Sequence, residues 1–589
     1  MLRLISRRAL LGLFILTFLL TTPLLVQAQT EEPDEELQQQ QISPEDAQDR
    51  MDMIRAVREN VSLFGEIYRQ VNMRYVDQVE PEEFMKAGIK GMLATLDPYT
   101  DYMEMENSDD LRILSEGEYG GVGLQIGTRG TNRVLTVISP IEGTPAWRLG
   151  IRAGDQILYI EEESTEGWST SDAASKLRGK AGTKVKVKVN RYGVDDLLEY
   201  TITRERIEVK DVSYAGYISD GVGYVRLTRF SRSAGEEVKL AIEDLQAQQE
   251  LKGLVLDLRS NPGGLLPEAI SVAENFLQPG EEIVSTRGRL ERTNNVYYAQ
   301  TSPSLSDDIP LVVLINGGSA SASEIVSGAV QDLDRGLIIG RTSFGKGLVQ
   351  NVINFKDGTA LRVTTAKYYT PSGRLIQKAD YFNDNDAIIP SELDIIADTL
   401  FHTAGGREVV AHGGIVPDVV VEGDEVGELT LALWRQDLFF DFVSKFMDQN
   451  PDQHTWKDMG PVLHEQFLTY MDTTDFEFET ELQGRIAELH ESLTTVSDST
   501  IFLESIGELE SLAQAENASL FERERDELEN RLVVELAAAL DGSAGRTQAS
   551  LNIDPDIVKA IEVLSDEDLY ASLLAGTYAA VDTGTEEDQ

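Results

Sequence analysis

The 589-residue chain contains no cysteine, five histidines and four tryptophans. Without cysteine there can be no disulfide, no thiol nucleophile and no thiolate metal site, a composition compatible with export. The histidines, His402, His412, His454, His464 and His490, stand in no recognisable catalytic or ligating setting. A histidine base is therefore not expected, and neither a metal nor a cofactor is called for. Basic residues are also scarce, with 52 Lys and Arg against 101 Asp and Glu, a net charge of −49. Such a surface repels nucleic acid and anionic membrane, which argues against both as ligands. The acidity has two readings: adaptation to high salt, where self-repulsion is screened, or simply an acidic helical tail.

The one long apolar run is at the start. Residues 1–28 combine a basic beginning (Arg3, Arg7, Arg8), an apolar stretch from Ala9 to Val26 and the small-residue site Val26-Gln-Ala28. This pattern predicts an export signal cut after Ala28. At about 18 residues the stretch could also stay uncleaved as an inner-membrane anchor. A chain of this length should form more than one domain.

The most informative segment runs from Ile309 to Gln350. Ile309-Pro-Leu-Val-Val-Leu-Ile-Asn316 reads as a buried strand and Gly317-Gly-Ser-Ala-Ser-Ala-Ser323 as a turn of small residues. The helical run Glu324-Ile-Val-Ser-Gly-Ala-Val-Gln-Asp332 follows. Such a corner presents a hydroxyl beside free backbone N–H groups able to hold an oxyanion. Lys346, between Phe344-Gly345 and Gly347-Leu348, can replace histidine as base, because burial disfavours the ammonium form. If 346–355 is one strand, Lys346, Leu348 and Gln350 share a face, and Gln350 can hold the amine.

Two other readings compete. Ser321 and Glu324 also form a capping-box pattern at a helix start. Gly340-Arg-Thr-Ser-Phe-Gly-Lys-Gly347 approaches a P-loop, but Gly347 replaces the magnesium-binding hydroxyl, and a strand pattern follows where a P-loop opens a helix.

Ser319-Ala-Ser-Ala-Ser-Glu-Ile325 followed by Phe344-Gly-Lys-Gly-Leu-Val-Gln350 resembles the signature of the carboxyl-terminal processing proteases, also called tail-specific proteases. The resemblance implies Ser321 as nucleophile, Lys346 as base, Gln350 as the residue orienting it and Asp332 in a supporting role. Ser319 and Ser323 are expected to be structural. Asp257-Leu-Arg-Ser-Asn-Pro-Gly-Gly264 resembles the family motif that supplies part of the oxyanion hole, so the expected donors are Ala322 N–H and that of Gly263 or Gly264. Lys367-Tyr-Tyr-Thr-Pro-Ser-Gly-Arg374 and Gly413-Gly-Ile-Val-Pro-Asp418 resemble its later core motifs. An inactive PDZ-bearing scaffold or holdase of the same fold is the rival function.

Gly120-Gly-Val-Gly123, the strand pattern Leu124-Gln-Ile126 and the segment 148–157 resemble a PDZ domain. Gly121, Val122, Gly123 and Leu124 would take a peptide's terminal carboxylate. The expected fold is thus an α/β protease core of crotonase-like spiral type with an inserted PDZ domain, N-terminal helices and an acidic helical C-terminal extension. The expected segments are 1–28 signal, 29–45 acidic linker, 46–103 helical region, 104–206 PDZ closing with the strand 184–189, 207–423 core and 424–589 helices. Expected partners are proteins or peptides with accessible C-termini, not nucleic acid. The C-terminal helices offer a surface for a homo-oligomer or an adaptor, against the plainer reading that they pack on the core. Exported and periplasmic is the expected location.

Overall fold

The computed structural model describes residues 44–104, 117–130, 133–378, 400–411, 413–423, 426–494 and 500–577. The signal or anchor segment, the linker to residue 43 and His412 lie outside the described residues. No helix among those described is long and apolar enough to cross a membrane.

The chain divides into two compact units, Met1–Gly88 and Ile89–Gln589. In the first, a helix of 31 residues spans Pro44–Arg74, and a second, Pro81–Leu93, begins. Proline at each start suits a position whose N–H has no helical partner. Tyr68 stacks on Phe84 with ring centroids 5.8 Å apart, and its hydroxyl donates to the Pro81 carbonyl.

The second unit is built on a six-stranded sheet. Its order is Val212–Ser219, Val222–Leu227, Gly253–Asp257, Leu311–Ile315, Leu337–Gly340 and Val419–Val420, parallel except for the first pair. Parallel strands covered on both faces read as unbroken apolar runs, and here alternate side chains enter two different cores. Leu254, Leu256, Val313 and Ile315 pack with the helices Ala234–Gln248, Leu266–Ala273 and Ala322–Asp332. Val255, Val312, Leu314 and Ile339 pack instead with Ile557, Ala560, Val563 and Leu564 of the late helix Pro555–Ser565 and with Tyr570. Each fully buried Val, Leu or Ile contributes roughly 1.5–3 kcal/mol, so the helices over 555–574 are part of the core.

A second, antiparallel sheet joins Asp101–Met103, Ala360–Tyr369, Glu282–Arg287 and Asn295–Tyr298, with Leu348–Asn354 also paired to Ala360–Tyr369. Residues 101–103, expected in the N-terminal helical region, therefore belong to this sheet. The strand expected over 346–355 starts at Leu348, and its register shifts between Val349 and Gln350. Lys346 lies in the preceding loop, and the shift breaks the alternation that would have aligned it with Gln350.

A third sheet runs Leu124–Arg129, Val134–Pro140, Gln156–Ile160, Lys184–Asn190 and Leu198–Thr203, with the helix Thr170–Leu177 packed on it. Lys184–Asn190 does not close this domain. Leu198–Thr203 pairs with it, and Glu205–Glu208 pairs with Glu118–Gly121. The C-terminal helices hold their own apolar core, including Leu429, Phe439, Phe442, Phe467, Leu528 and Leu532. Gly460–Met471, Pro555–Ser565 and Glu567–Leu574 are helices that the sequence pattern left unassigned.

Candidate active site

Ser321 stands where the strand Leu311–Ile315 turns into a helix of 11 residues, all buried. Its backbone is at φ 57° and ψ −109°, a conformation costing a non-glycine residue on the order of 1–3 kcal/mol. Surrounding bonds hold it there. The Ser319 hydroxyl donates to the Leu258 carbonyl and the Ser323 hydroxyl to that of Asn261, at 2.8 and 2.9 Å. The outer two serines thus have structural roles, stitching the turn to the glycine loop at 258–264.

Glu324 organises the centre. Its fully buried carboxylate accepts the N–H of Ser321 at 2.7 Å, of Gly345 at 2.7 Å and of Lys346 at 2.9 Å, and the Ser343 hydroxyl at 2.5 Å. Burial pushes its pKa up, while these donors pull it back. The capping-box acid reaches the Ser321 N–H as expected, but it also ties the serine turn to the lysine loop.

Lys346 is half-buried, with its Nζ 4.5 Å from the centroid of the Tyr99 ring. Burial pushes the ammonium pKa down, the Arg362 guanidinium adds to that shift, and Glu324 and Asp97 oppose it. Tyr99 is set by a turn in which Asp97 accepts the N–H groups of Tyr99 and Thr100 and the Thr100 hydroxyl, each at 2.8 Å. Among the described residues, the Lys346 ammonium hydrogen-bonds to neither Ser321 nor Gln350. The Gln350 amide instead reaches the Thr364 hydroxyl at 3.5 Å, contrary to the hydrogen bond to Lys346 expected from one continuous strand. Tyr368, which sequence reasoning did not single out, is buried against Ser321. Burial raises its phenol, and a hydrogen-bonding contact with Ser321 offsets part of that shift.

The glycine loop lies directly beside the serine. A methyl added at Gly263 would stand 2.8 Å from the Ala322 nitrogen and 3.0 Å from Ser321 Cβ, and its φ of +94° also favours glycine. The Gly263 N–H is taken by Asn261 Oδ1 at 2.9 Å. Among the described residues, the N–H groups of Ala322 and Gly264 have no acceptor.

Residues 221–384 match the model described as peptidase family S41, and 136–191 match a PDZ domain. Residues 429–564 match "Probable PDZ-protease, C-terminal helical domain", and 18–107 match "Activating protease CtpB N-terminal domain". The carboxy-terminal-processing protease of Bartonella bacilliformis is 45% identical over 320 residues, 54% of this chain and 72% of that protein. The chain belongs to the carboxy-terminal-processing proteases. The corresponding protease of Synechocystis is 37% identical over 353 residues, covering 56% of this chain and 81% of that one. Among solved structures, the photosystem II D1 C-terminal processing protease is 29% identical, covering 61% of this chain and 92% of its own, with a TM-score of 0.34. The architecture is an S41 protease core carrying a PDZ domain, an N-terminal domain and a C-terminal helical domain.

The PDZ domain holds a groove of its own. Val122, Gly123, Leu124 and Ile126 line a cavity of about 320 Å³, opposite Ala174 and Leu177 of the helix Thr170–Leu177. Gly123 is at φ +78°, with Thr144 occupying the place of a side chain. Gly121 is not in this lining. It ends the strand Glu118–Gly121, paired with Glu205. Tyr119, Thr170, Ser171 and Arg178 also line the groove and went unnoticed in the sequence, because helix and strand meet only in the fold.

Asp332 is at the opposite end of the serine helix from Ser321. Its carboxylate pairs with the buried Arg374 guanidinium and accepts the Ser372 N–H at 3.0 Å. It braces the turn after Ala360–Tyr369 and is not gathered with Lys346. The loop 341–347 leads into a strand rather than a helix, so the P-loop context is missing. No group of three or more His, Asp or Glu among the described residues could hold a metal ion.

Proposed function

We propose that the chain is an exported serine endopeptidase that selects protein tails through its PDZ groove and cleaves with a Ser321–Lys346 dyad. The observation that carries this reading is the convergence of the Ser321 and Lys346 backbones on one buried carboxylate, beside two N–H groups without acceptors. Neutral Lys346 removes the Ser321 hydroxyl proton as Oγ bonds to the scissile carbonyl carbon. The N–H groups of Ala322 and Gly264 hold the resulting oxyanion; that of Gly263 is already engaged. Collapse breaks the C–N bond, and the Lys346 ammonium protonates the departing amine. Water, giving its proton to Lys346, then adds to the acyl carbonyl; the bond from that carbon to Ser321 Oγ breaks, and Lys346 returns the proton to Oγ. Catalytic contacts often tighten only with substrate bound, and for Gln350 to position the amine, its side chain must leave Thr364. Export rests on the basic start, the apolar stretch and Val26-Gln-Ala28.

Lys346 works only when neutral, and its pKa is depressed. Casein cleavage is therefore expected to rise with pH through that lowered value and to persist in alkali. ATP should not change the rate. Activity falling above neutral pH while circular dichroism reports an intact fold contradicts a lysine base.

Leu124, Ile126, Ala174 and Leu177 give the PDZ groove an apolar side next to its glycine loop, facing the polar Thr170, Ser171 and Arg178. A substrate ending in a free apolar residue is expected to be cleaved about tenfold faster than the same substrate amidated, in line with the loss of one charge-assisted hydrogen bond. A tail ending in Asp-Asp should also be slow. Equal rates for all three reject tail selection and leave the dyad reading standing.

A further inference from the structure

We propose that Asp554 and Asp556, at the start of the helix Pro555–Ser565, position the oxyanion loop of the active site through Arg259. This inference rests on the dyad reading above and assigns part of that site to the far end of the chain.

Arg259 is nearly buried and is held from three directions. Its guanidinium donates to Asp257 at 2.8 Å, to both Asp554 oxygens at 2.7 and 2.8 Å and to Asp556 at 2.8 Å. Asp257, at the end of the strand Gly253–Asp257, also accepts the Tyr224 hydroxyl at 2.6 Å and the Arg259 N–H at 2.8 Å. The Asp556 carboxylate takes Arg341 at 3.2 Å. Two residues beyond Arg259, Asn261 passes the constraint into the site. Its amide donates to the Leu227 carbonyl at 2.9 Å, its Oδ1 takes the Gly263 N–H, and its carbonyl accepts the Ala320 N–H at 3.0 Å. One edge of the loop is therefore fastened to the serine turn. The other is fastened to a carboxylate 295 residues further along the chain.

The chemistry makes that anchor more than packing. An oxyanion donor acts by being in place before charge develops, and a displacement of about 1 Å can cost on the order of 100-fold in rate. A guanidinium forked between carboxylates fixes direction as well as distance, which a lysine does not. Arg259, Asp554 and Asp556 are positioning residues, since none of them touches the reacting atoms.

The test uses the full chain, with cleavage first shown to depend on Ser321. Asp554→Asn keeps the helix cap, because asparagine caps as well as aspartate, but removes the charge. Arg259→Lys keeps the charge but removes the fork. Each is expected to lower kcat on the order of 10- to 100-fold with KM little changed; Arg259→Lys, which strips hydrogen bonds from buried carboxylates, should also lower the melting temperature. A peptide aldehyde, whose oxygen enters the hole once Ser321 adds to it, should lose affinity by the same factor. The matching peptide alcohol should bind as before. Asp554→Glu, which restores the charge, should recover part of the rate. If Arg259→Lys does not fold, Asp554→Asn decides alone. Parent-like kcat, or aldehyde and alcohol weakened equally, overturns the inference. Cleavage that survives Ser321→Ala overturns the dyad reading, and this inference with it.

Discussion

Ser321→Ala and Lys346→Ala are each expected to reduce cleavage of casein by on the order of 10⁴-fold or more, since a nucleophile and its base act as a unit. Alanine has no hydroxyl to attack with, and the remaining oxyanion donors give only residual catalysis. Both variants should stay folded. The Ser321 hydroxyl donates to neither of the stitches that hold the turn, which come from Ser319 and Ser323. Removing Lys346 also takes a desolvated ammonium from above the Tyr99 ring, so the melting temperature should hold or rise slightly. Lys346→Arg should be as inactive as Lys346→Ala, because a guanidinium does not give up its proton near neutral pH. Full activity in Ser321→Ala or Lys346→Ala sinks the dyad assignment, whereas a folded parent chain that cleaves nothing supports the inactive-scaffold reading.

The second large effect is expected at Glu324. Glu324→Ala leaves three backbone N–H groups and the Ser343 hydroxyl without their acceptor in a fully buried place. Unsatisfied buried donors cost about 1–3 kcal/mol each and do not add simply, so a stability loss of at least about 3 kcal/mol is expected. Rate should fall further than stability explains, on the order of 100-fold, because the serine turn and the lysine loop lose their common reference point. Glu324→Gln supplies one acceptor oxygen and turns an NH₂ toward donors, so it should fall between parent and Glu324→Ala in denaturant midpoint and in kcat. A Glu324→Ala protein with parent-like midpoint and rate contradicts this role.

How far the site could be read from the sequence depended on the range of the interaction. Ser321, Ala322 and Glu324 lie within four residues of one another, and Lys346 follows in a loop after the next strand, so residue type and spacing carried them. The strands 253–257 and 311–315 were legible because burial on both faces forces unbroken apolar runs. Gln350 was misplaced for a local reason: a register shift at Val349 and Gln350 undoes the period of two on which its expected contact depended. Leu198–Thr203 carries the same apolar alternation as Lys184–Asn190, with Leu198, Tyr200 and Ile202 inward and Glu199, Thr201 and Thr203 exposed, so this strand was legible in the sequence although it was not expected. The choice between Gly263 and Gly264 could not be made from two adjacent glycines. In the fold the two differ, since the side chain of Asn261 occupies the Gly263 N–H and that of Gly264 has no acceptor among the described residues.

By itself, the sequence determined the family and its PDZ domain and set Ser321, Lys346 and the glycine loop as the expected site, because those depend on short motifs whose geometry is nearly local. Only the tertiary structure decided what surrounds them. It brought Tyr99 and Asp97 beneath the lysine and Tyr368 against the serine. It set Asp332 apart as a brace for Arg374, and it made the end of the C-terminal helical domain a wall of the central sheet. The physical reason is that desolvation and hydrogen-bond satisfaction are properties of the packed interior. Whether a carboxylate such as Glu324 caps a helix or joins two loops depends on which donors the fold leaves within about 3 Å of it.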